Sequence, residues 1–470
     1  MPKKIMLLVI ALVLARTIVM GEDMQGLVCD QTVRTAATGY FRAEQDARGV
    51  WRLVTPDGHG FFAMGCNGPV GMRGTWCPAL GYAPYTRVLT EKYGKDREKW
   101  SADTIGRLRG WGFNSFNNWE SPDKALLHRG VAHARVLSIG RAFARKDPNC
   151  ESNLLDNVRH KGVFPNVFHP DFPKFCRAYA ERLCAPSKGD PWVLGWFLDN
   201  EISWRGALKS NSKHISEDAS EGLAMYTAVA DLPEGHSARK ALDQFLAARG
   251  LSTTSNVPNA VRQDFLRLVA NEYFRITIGA IRAVDPDHMI LGVRFMGLRA
   301  TPNIAWEVAG KWCDVISVNW YPPVDFTNKY VKVSSMDTRP FREKVKELYA
   351  LGQRPILITE WSFPALDAGL SCKRGAGQRV PTQKERAYAA GLFVRTLAEC
   401  PEVVGHFHFS WVDQPKLGRF DGESCNYGLI REDDVPWKEL TDSFRLVHAE
   451  IYSTRKRVPA LPIVAPVHCK

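Results

Sequence analysis

The sequence lacks most of the patterns that assign a function at sight. None of its 11 cysteines stands in a CxxC pair, so zinc-ribbon and thioredoxin-like chemistry have no ligand framework to start from. No glycine-rich phosphate loop follows a strand. The one near approach, GCNGPVG at 65–71, lacks the spacing a dinucleotide or nucleotide triphosphate would need. Internal repeats and low-complexity tracts are absent, as is any spanning-length apolar run beyond the amino terminus. The formal net charge is +12, but the 62 lysines and arginines are scattered rather than gathered into a stripe, which argues against a nucleic-acid partner. Disorder is excluded by 45% hydrophobic and 11% aromatic content over 470 residues.

What is present begins at the amino terminus. Met1 to Lys4 is basic, Ile5 to Leu14 is apolar, and Val19 and Gly21 are small. This layout predicts a signal peptide over 1–21, a mature chain that is secreted or periplasmic, and no membrane association after cleavage. In an exported protein some cysteines are expected to pair. Cys66 and Cys77 flank one loop, Cys372 and Cys425 lie in two late loops, and either pair can bridge. Buried free thiols are the expectation for most of the others.

Eight apolar or β-branched segments then recur: Phe61–Gly65, Phe113–Trp119, Ala134–Ile139, a run inside Pro191–Trp204, His288–Phe295, Asp314–Trp320, Pro355–Glu360 and Val403–Trp411. Helical patterns separate them, at 90–109, 122–130, 171–183, 341–351 and 382–400 among others. Between Ser203 and Asp285 the stretches 218–229, 238–249 and 258–284 exceed what one crossover requires and predict a helical insertion after strand four. Turn signals at Arg48-Gly49 and Pro56-Asp57-Gly58 predict a short amino-terminal β-hairpin flooring the sheet. Strands alternating with helices predict an α/β fold, and eight such units predict a (β/α)8 TIM barrel, with an open doubly wound sheet as the alternative. The expected organisation is a leader at 22–47, a catalytic barrel at 48–450 and a tail at 451–470.

The chemistry should lie where strands leave the core, because α/β barrels place it at their carboxyl ends. In PWVLGWFLDNEISW, Trp192 to Leu198 is almost wholly apolar and polarity arrives together at Asp199, Asn200 and Glu201. PILITEWSF repeats the design and ends in Glu360 and Trp361. Two carboxyl groups facing one sugar are what glycosidic cleavage requires, one to protonate the leaving oxygen and one to meet the positive charge at the anomeric carbon. Arg294, ending strand five, has two readings, an ion-pair partner or a grip on a substrate oxygen, and the second is preferred. Asn117 and Asn118 are turn formers or hydroxyl ligands. Trp119, Trp204, Trp361 and Trp411 divide between core and rim. His406 and His408 alternate on strand eight without a third ligand, so they are read as barrel histidines and no metal is expected.

Asn200-Glu201 after strand four, Tyr321 after strand six, Glu360 after strand seven and Trp411 after strand eight together resemble the clan A retaining glycoside hydrolases. The resemblance implies Glu201 as acid/base, Glu360 as nucleophile, Asn200 on the sugar 2-hydroxyl, Tyr321 steadying the nucleophile and Trp411 as aromatic floor. Asn118 and Arg294 complete the expected substrate contacts. GVWRLVTPDGHGFFAMG, WGFNSFNNW, LGVRF and DQPKLGRFDGESCNYGLI are most similar to the family 50 β-agarases and, more loosely, to the family 42 β-galactosidases. The implied activity is hydrolysis of galactose-containing chains without a cofactor. A β-galactosidase, mannanase or transglycosylase on the same barrel, or a non-catalytic carbohydrate-binding protein, is the alternative.

Overall fold

The computed structural model describes residues 24–68, 74–119, 122–146, 151–155, 163–204, 223–298 and 300–460. The predicted signal peptide and the start of the predicted 218–229 helix lie outside them.

The chain opens with a three-stranded antiparallel sheet, β1 (Arg42–Gln45), β2 (Trp51–Val54) and β3 (Gly60–Phe61). Asp46 makes the first turn by accepting hydrogen bonds from the backbone N–H groups of Arg48 and Val50 at 2.9 and 3.0 Å. Alternation then points Leu53 and Phe61 inward, where with Phe41 they pack against Leu194, Leu357, Val404 and Phe407. The predicted hairpin therefore floors the main sheet. Its first strand begins before residue 48.

Eight further strands form one parallel sheet: β4 (Ala63–Asn67), β5 (Ser115–Asn118), β6 (Ala132–Val136), β7 (Val193–Phe197), β8 (Phe295–Met296), β9 (Ile316–Asn319), then, after a small antiparallel ribbon of β10 (Val324–Asp325) and β11 (Tyr330–Val331), β12 (Ile356–Glu360) and β13 (Val403–His408). Their order is β7-β6-β5-β4-β13-β12-β9-β8. Apart from Arg135 of β6, which is half-buried, and β8, they are wholly buried, as suits strands covered on both faces. The segment leading into β8 also bonds to β7, through Trp196 N to Met289 O (2.9 Å), Leu291 N to Trp196 O (2.8 Å) and Leu198 N to Gly292 O (2.8 Å). The sheet is thus barrel-like, with helices outside it at 172–184, 259–282, 303–312, 341–352, 383–398 and 438–456. The last of these runs past residue 450.

Three elements depart from expectation. Strand five is predicted over His288–Phe295 but only Phe295–Met296 is regular, because Gly292 (φ 83°) and Arg294 (φ 48°) are left-handed and break the ladder. A side chain at Gly292 would also meet Ser317 at 3.0 Å. The 122–130 pattern yields only a single 3₁₀ turn at Lys124–Leu126, and His128 (φ 58°) ends it. The 90–109 helix is two, Pro84–Tyr93 and Arg97–Gly110, parted at Gly94, with Asp96 capping the second through Lys99 N at 2.9 Å. The helical insertion after β7 is present, at 223–230, 237–247 and 259–282.

Candidate active site

Beyond β7 the chain runs Leu198-Asp199-Asn200-Glu201, and each polar residue takes a different role. Asp199 turns into the protein, where its carboxylate accepts from Gly140 N (2.8 Å), Arg141 N (2.9 Å) and the Tyr273 hydroxyl (2.7 Å). This ties the loop after β6 to the loop after β7. Arg141 Nη2 adds a second tie, donating to the carbonyls of Asn200 (2.6 Å) and Glu201 (3.3 Å). Between these anchors Glu201 is held in the left-handed region (φ 53°), as are Arg294 and Ser138 (φ 56°) around it. Non-glycine residues there cost about 1–3 kcal/mol each, which surrounding structure must offset.

Glu360 ends β12 and is 7% exposed. Arg294 Nη2 donates to its Oε1 at 2.7 Å and the Tyr321 hydroxyl to its Oε2 at 2.9 Å. Arg294 Nε also donates to Asn200 Oδ1 (2.7 Å), to which Asn319 Nδ2 donates (3.1 Å). The same Asn319 amide reaches Glu201 Oε1 at 2.9 Å. A continuous polar path, Glu201–Asn319–Asn200–Arg294–Glu360, therefore joins the two carboxyl groups. Thr359 Oγ1 donates to Asn319 Oδ1 (2.8 Å) and so fixes which way that amide faces.

The two acids live in opposite environments. Glu360 receives hydrogen bonds from a buried guanidinium and a phenol. Glu201 is pushed up from its ordinary 4.5 to about 7, by burial first and by the charge of Glu360 second. The charge of Glu360 is the effect the sequence suggests, and desolvation outweighs it.

Both glutamates line one cavity of about 540 Å³ with Asn200 and Trp411. Trp411 is only 4% exposed and its indole N–H donates to Tyr85. The more open aromatic faces beside it are Phe409 and Trp119, set edge to face at 6.1 Å. Arg294 is fully buried and touches Glu360 rather than facing the cavity, and Asn118 is fully buried outside the lining. Trp204 and Trp361 belong to the core. His406 faces His448, and among the described residues no group of three His, Cys, Asp or Glu could hold a metal. Cys66, Cys77, Cys372 and Cys425 are all free thiols in the structure. Sequence reasoning misses Asn319, Thr359, Arg141, Phe409 and the Arg419–Asp421 loop tip that lines the outer cavity. Asn319 was within reach, since it ends strand six as Asn200 follows strand four.

No family model matches the sequence. Two proteins of Vibrio sp. (strain JT0107) are similar to it: β-agarase B, 25% identical over 89% of this chain and 49% of that protein, and β-agarase A, 24% identical over 89% and 46%. The chain spans about half the length of these curated relatives. Among solved structures, the crystal structure of an agarase superposes with a TM-score of 0.72 at 24% identity, over 93% of this chain and 67% of that one. An exo-β-agarase gives 0.70 at 22%, over 90% and 66%. The fold is shared with them.

Proposed function

We propose that this chain is an exported, retaining β-glycoside hydrolase of galactose-containing, agar-type chains. The observation that carries the reading is the pair of glutamates in one cavity, one hydrogen-bonded by Arg294 and Tyr321 and the other raised to about 7, chiefly by burial. Environments that separate two carboxyl groups in this way assign acid and nucleophile. The agar-type substrate is supported by the names of the two relatives, and the (β/α)8 reading by the backbone bonds from β7 to the segment entering β8.

In the proposed first step Glu360 attacks the anomeric carbon while Glu201 gives its proton to the leaving oxygen, forming a glycosyl-enzyme ester. As the ester forms, Glu360 loses its charge and the second reason for Glu201 to hold a proton disappears. Glu201 is then the base for the incoming water, which releases the sugar with its original anomeric configuration. Asn200, fixed between Arg294 and Asn319, offers its amide to the ring hydroxyl next to the reacting carbon. No cofactor enters this scheme.

The test is sugar release from agarose, neoagaro-oligosaccharides, galactan, mannan and aryl β-galactosides by the purified chain beside Glu201→Gln and Glu360→Gln, with the first product's anomer read by NMR. Release from agar-type substrates with retention, lost in both variants, is expected. Activity confined to mannan or aryl galactosides would discard the substrate and keep the mechanism. An inverted first product, or full activity in Glu360→Gln, would discard the mechanism.

A further inference from the structure

Two loops meet beside the cavity. One follows β12, at whose end Glu360 stands, and contains Cys372. The other follows β13, lines the cavity with Gln414, Arg419, Phe420 and Asp421, and contains Cys425. The backbone brings the two cysteines together: Cys372 N donates to Ser424 O at 2.9 Å, and Cys425 Sγ donates to Arg374 O at 2.9 Å. Cys425 N is held by Gln414 Oε1 at 2.7 Å. With Tyr427 the two thiols form a small closed cluster of their own, Cys372 4% exposed and Cys425 not at all. Cys372 is left-handed (φ 42°), which turns its side chain into that cluster.

We infer that Cys372 and Cys425 are the two halves of a disulfide that ties the loop after β12 to the loop after β13. Two thiols packed side by side across a backbone hydrogen bond need little movement to bond. Their interaction splits their acidity: Cys372 is lowered to about 7, chiefly by its hydrogen bond with Cys425, while Cys425 is raised by the same bond. Cys372 is also the more accessible of the two, 4% exposed against none, and is the attacking thiolate. With glutathione disulfide as oxidant, the Cys372 thiolate displaces one glutathione as thiolate and forms a mixed disulfide. Cys425 then gives up its proton and attacks the Cys372 sulfur, releasing the second glutathione. Two protein thiols are oxidised and one glutathione disulfide is reduced to two glutathiones.

The bond reaches the site through Tyr427. Its hydroxyl donates to Ala376 O at 2.7 Å, and its ring stands 5.4 Å from Phe409 and 6.4 Å from Tyr321, the phenol on Glu360. Holding the two loops together holds these three rings.

The full chain is reduced, equilibrated with glutathione disulfide, alkylated and mapped without reductant. A peptide pair linking Cys372 to Cys425 is expected. Recovery of both as alkylated thiols, or linkage of either to another cysteine, overturns the assignment. Trypsin supplies a second readout, since Lys416 and Arg419 immediately precede exposed Leu417 and Phe420. Cleavage after them should be about tenfold slower in the oxidised chain, because cutting requires the loop to open locally. Cys372→Ser should be cut at one rate in both conditions. Equal rates for oxidised and reduced wild type would remove the tie between the loops. Neither measurement depends on the glycosidase reading.

Discussion

Asn319 donates to Glu201 and Asn200 through one amide nitrogen, so a single residue sets both the acid's proton affinity and the hydroxyl ligand's position. Its bond to Glu201 favours the charged carboxylate, and removing it raises that group further above 7. Asn319→Ala should therefore move the alkaline limb of kcat/KM to higher pH while lowering its plateau about tenfold, the scale of one lost hydrogen bond to a charged group. A pH profile checks both. An unmoved limb would show that Asn319 does not set the acid's proton affinity. Glu201 also bears on stability. Its folded value lies above its unfolded 4.5, so its contribution is fully present below 4.5 and is lost as pH rises through about 7. Glu201→Gln holds no charge there and should melt higher than wild type at pH 8–9, by about 3 kcal/mol of stability, and equally at pH 4. Thermal melts across that range are the measurement. Of these residues the sequence displayed the glutamates, because each ends an apolar run, and hid Arg294's true partner. A guanidinium at a strand end looks the same whether it faces a sugar or lies beneath a carboxylate.

Among the elements, β13 and the helix Lys438–Lys456 share an arrangement that motif reading mistakes easily. His408 Nε2 donates to Tyr427 O at 3.0 Å, and His448 Nδ1 donates to Trp111 O at 3.1 Å. With Nδ1 donating, His448 Nε2 accepts from His406 Nε2, 3.3 Å away. Burial comes first in holding each down, His406 and His408 well below 6.5 and His448 to about 3. A base with a depressed folded value contributes stability above its unfolded value of 6.5 and loses it as pH falls from there. Each histidine should cost about 1.4 kcal/mol per pH unit below 6.5. His448→Gln keeps the hydrogen bonds and should flatten the fall of Tm with acid by one proton's worth. An unchanged slope would show that His448 is already charged. Strand five is the complementary case: the eight-residue segment His288–Phe295 was legible as a strand, and the two left-handed positions, Gly292 and Arg294, were not, because only the three-dimensional structure reveals them.

At the scale of the whole molecule, eight strands in chain order could be read from apolar runs separated by helical patterns. What floors the sheet could be read as well, as a hairpin, though period and length say nothing about which side chains fill a curled sheet from below. The answer is the amino-terminal sheet, whose Phe41, Leu53 and Phe61 meet Leu194, Leu357 and Phe407 inside it. The signal for it was present in the two turn motifs. Removing one of these side chains leaves a hole with little freedom to collapse, because parallel strands hold the opposite wall, and such changes cost about 3–5 kcal/mol against a total of about 5–15. Leu53 sits at the floor, and the glutamates sit at the carboxyl ends of the strands. Leu53→Ala should thus lower Tm by several degrees and leave kcat per folded molecule unchanged at 25 °C. Truncation to residue 62 removes all three apolar side chains together and should yield no folded chain. Soluble, cooperatively melting protein from that truncation would mean that the eight-stranded sheet fills its own interior.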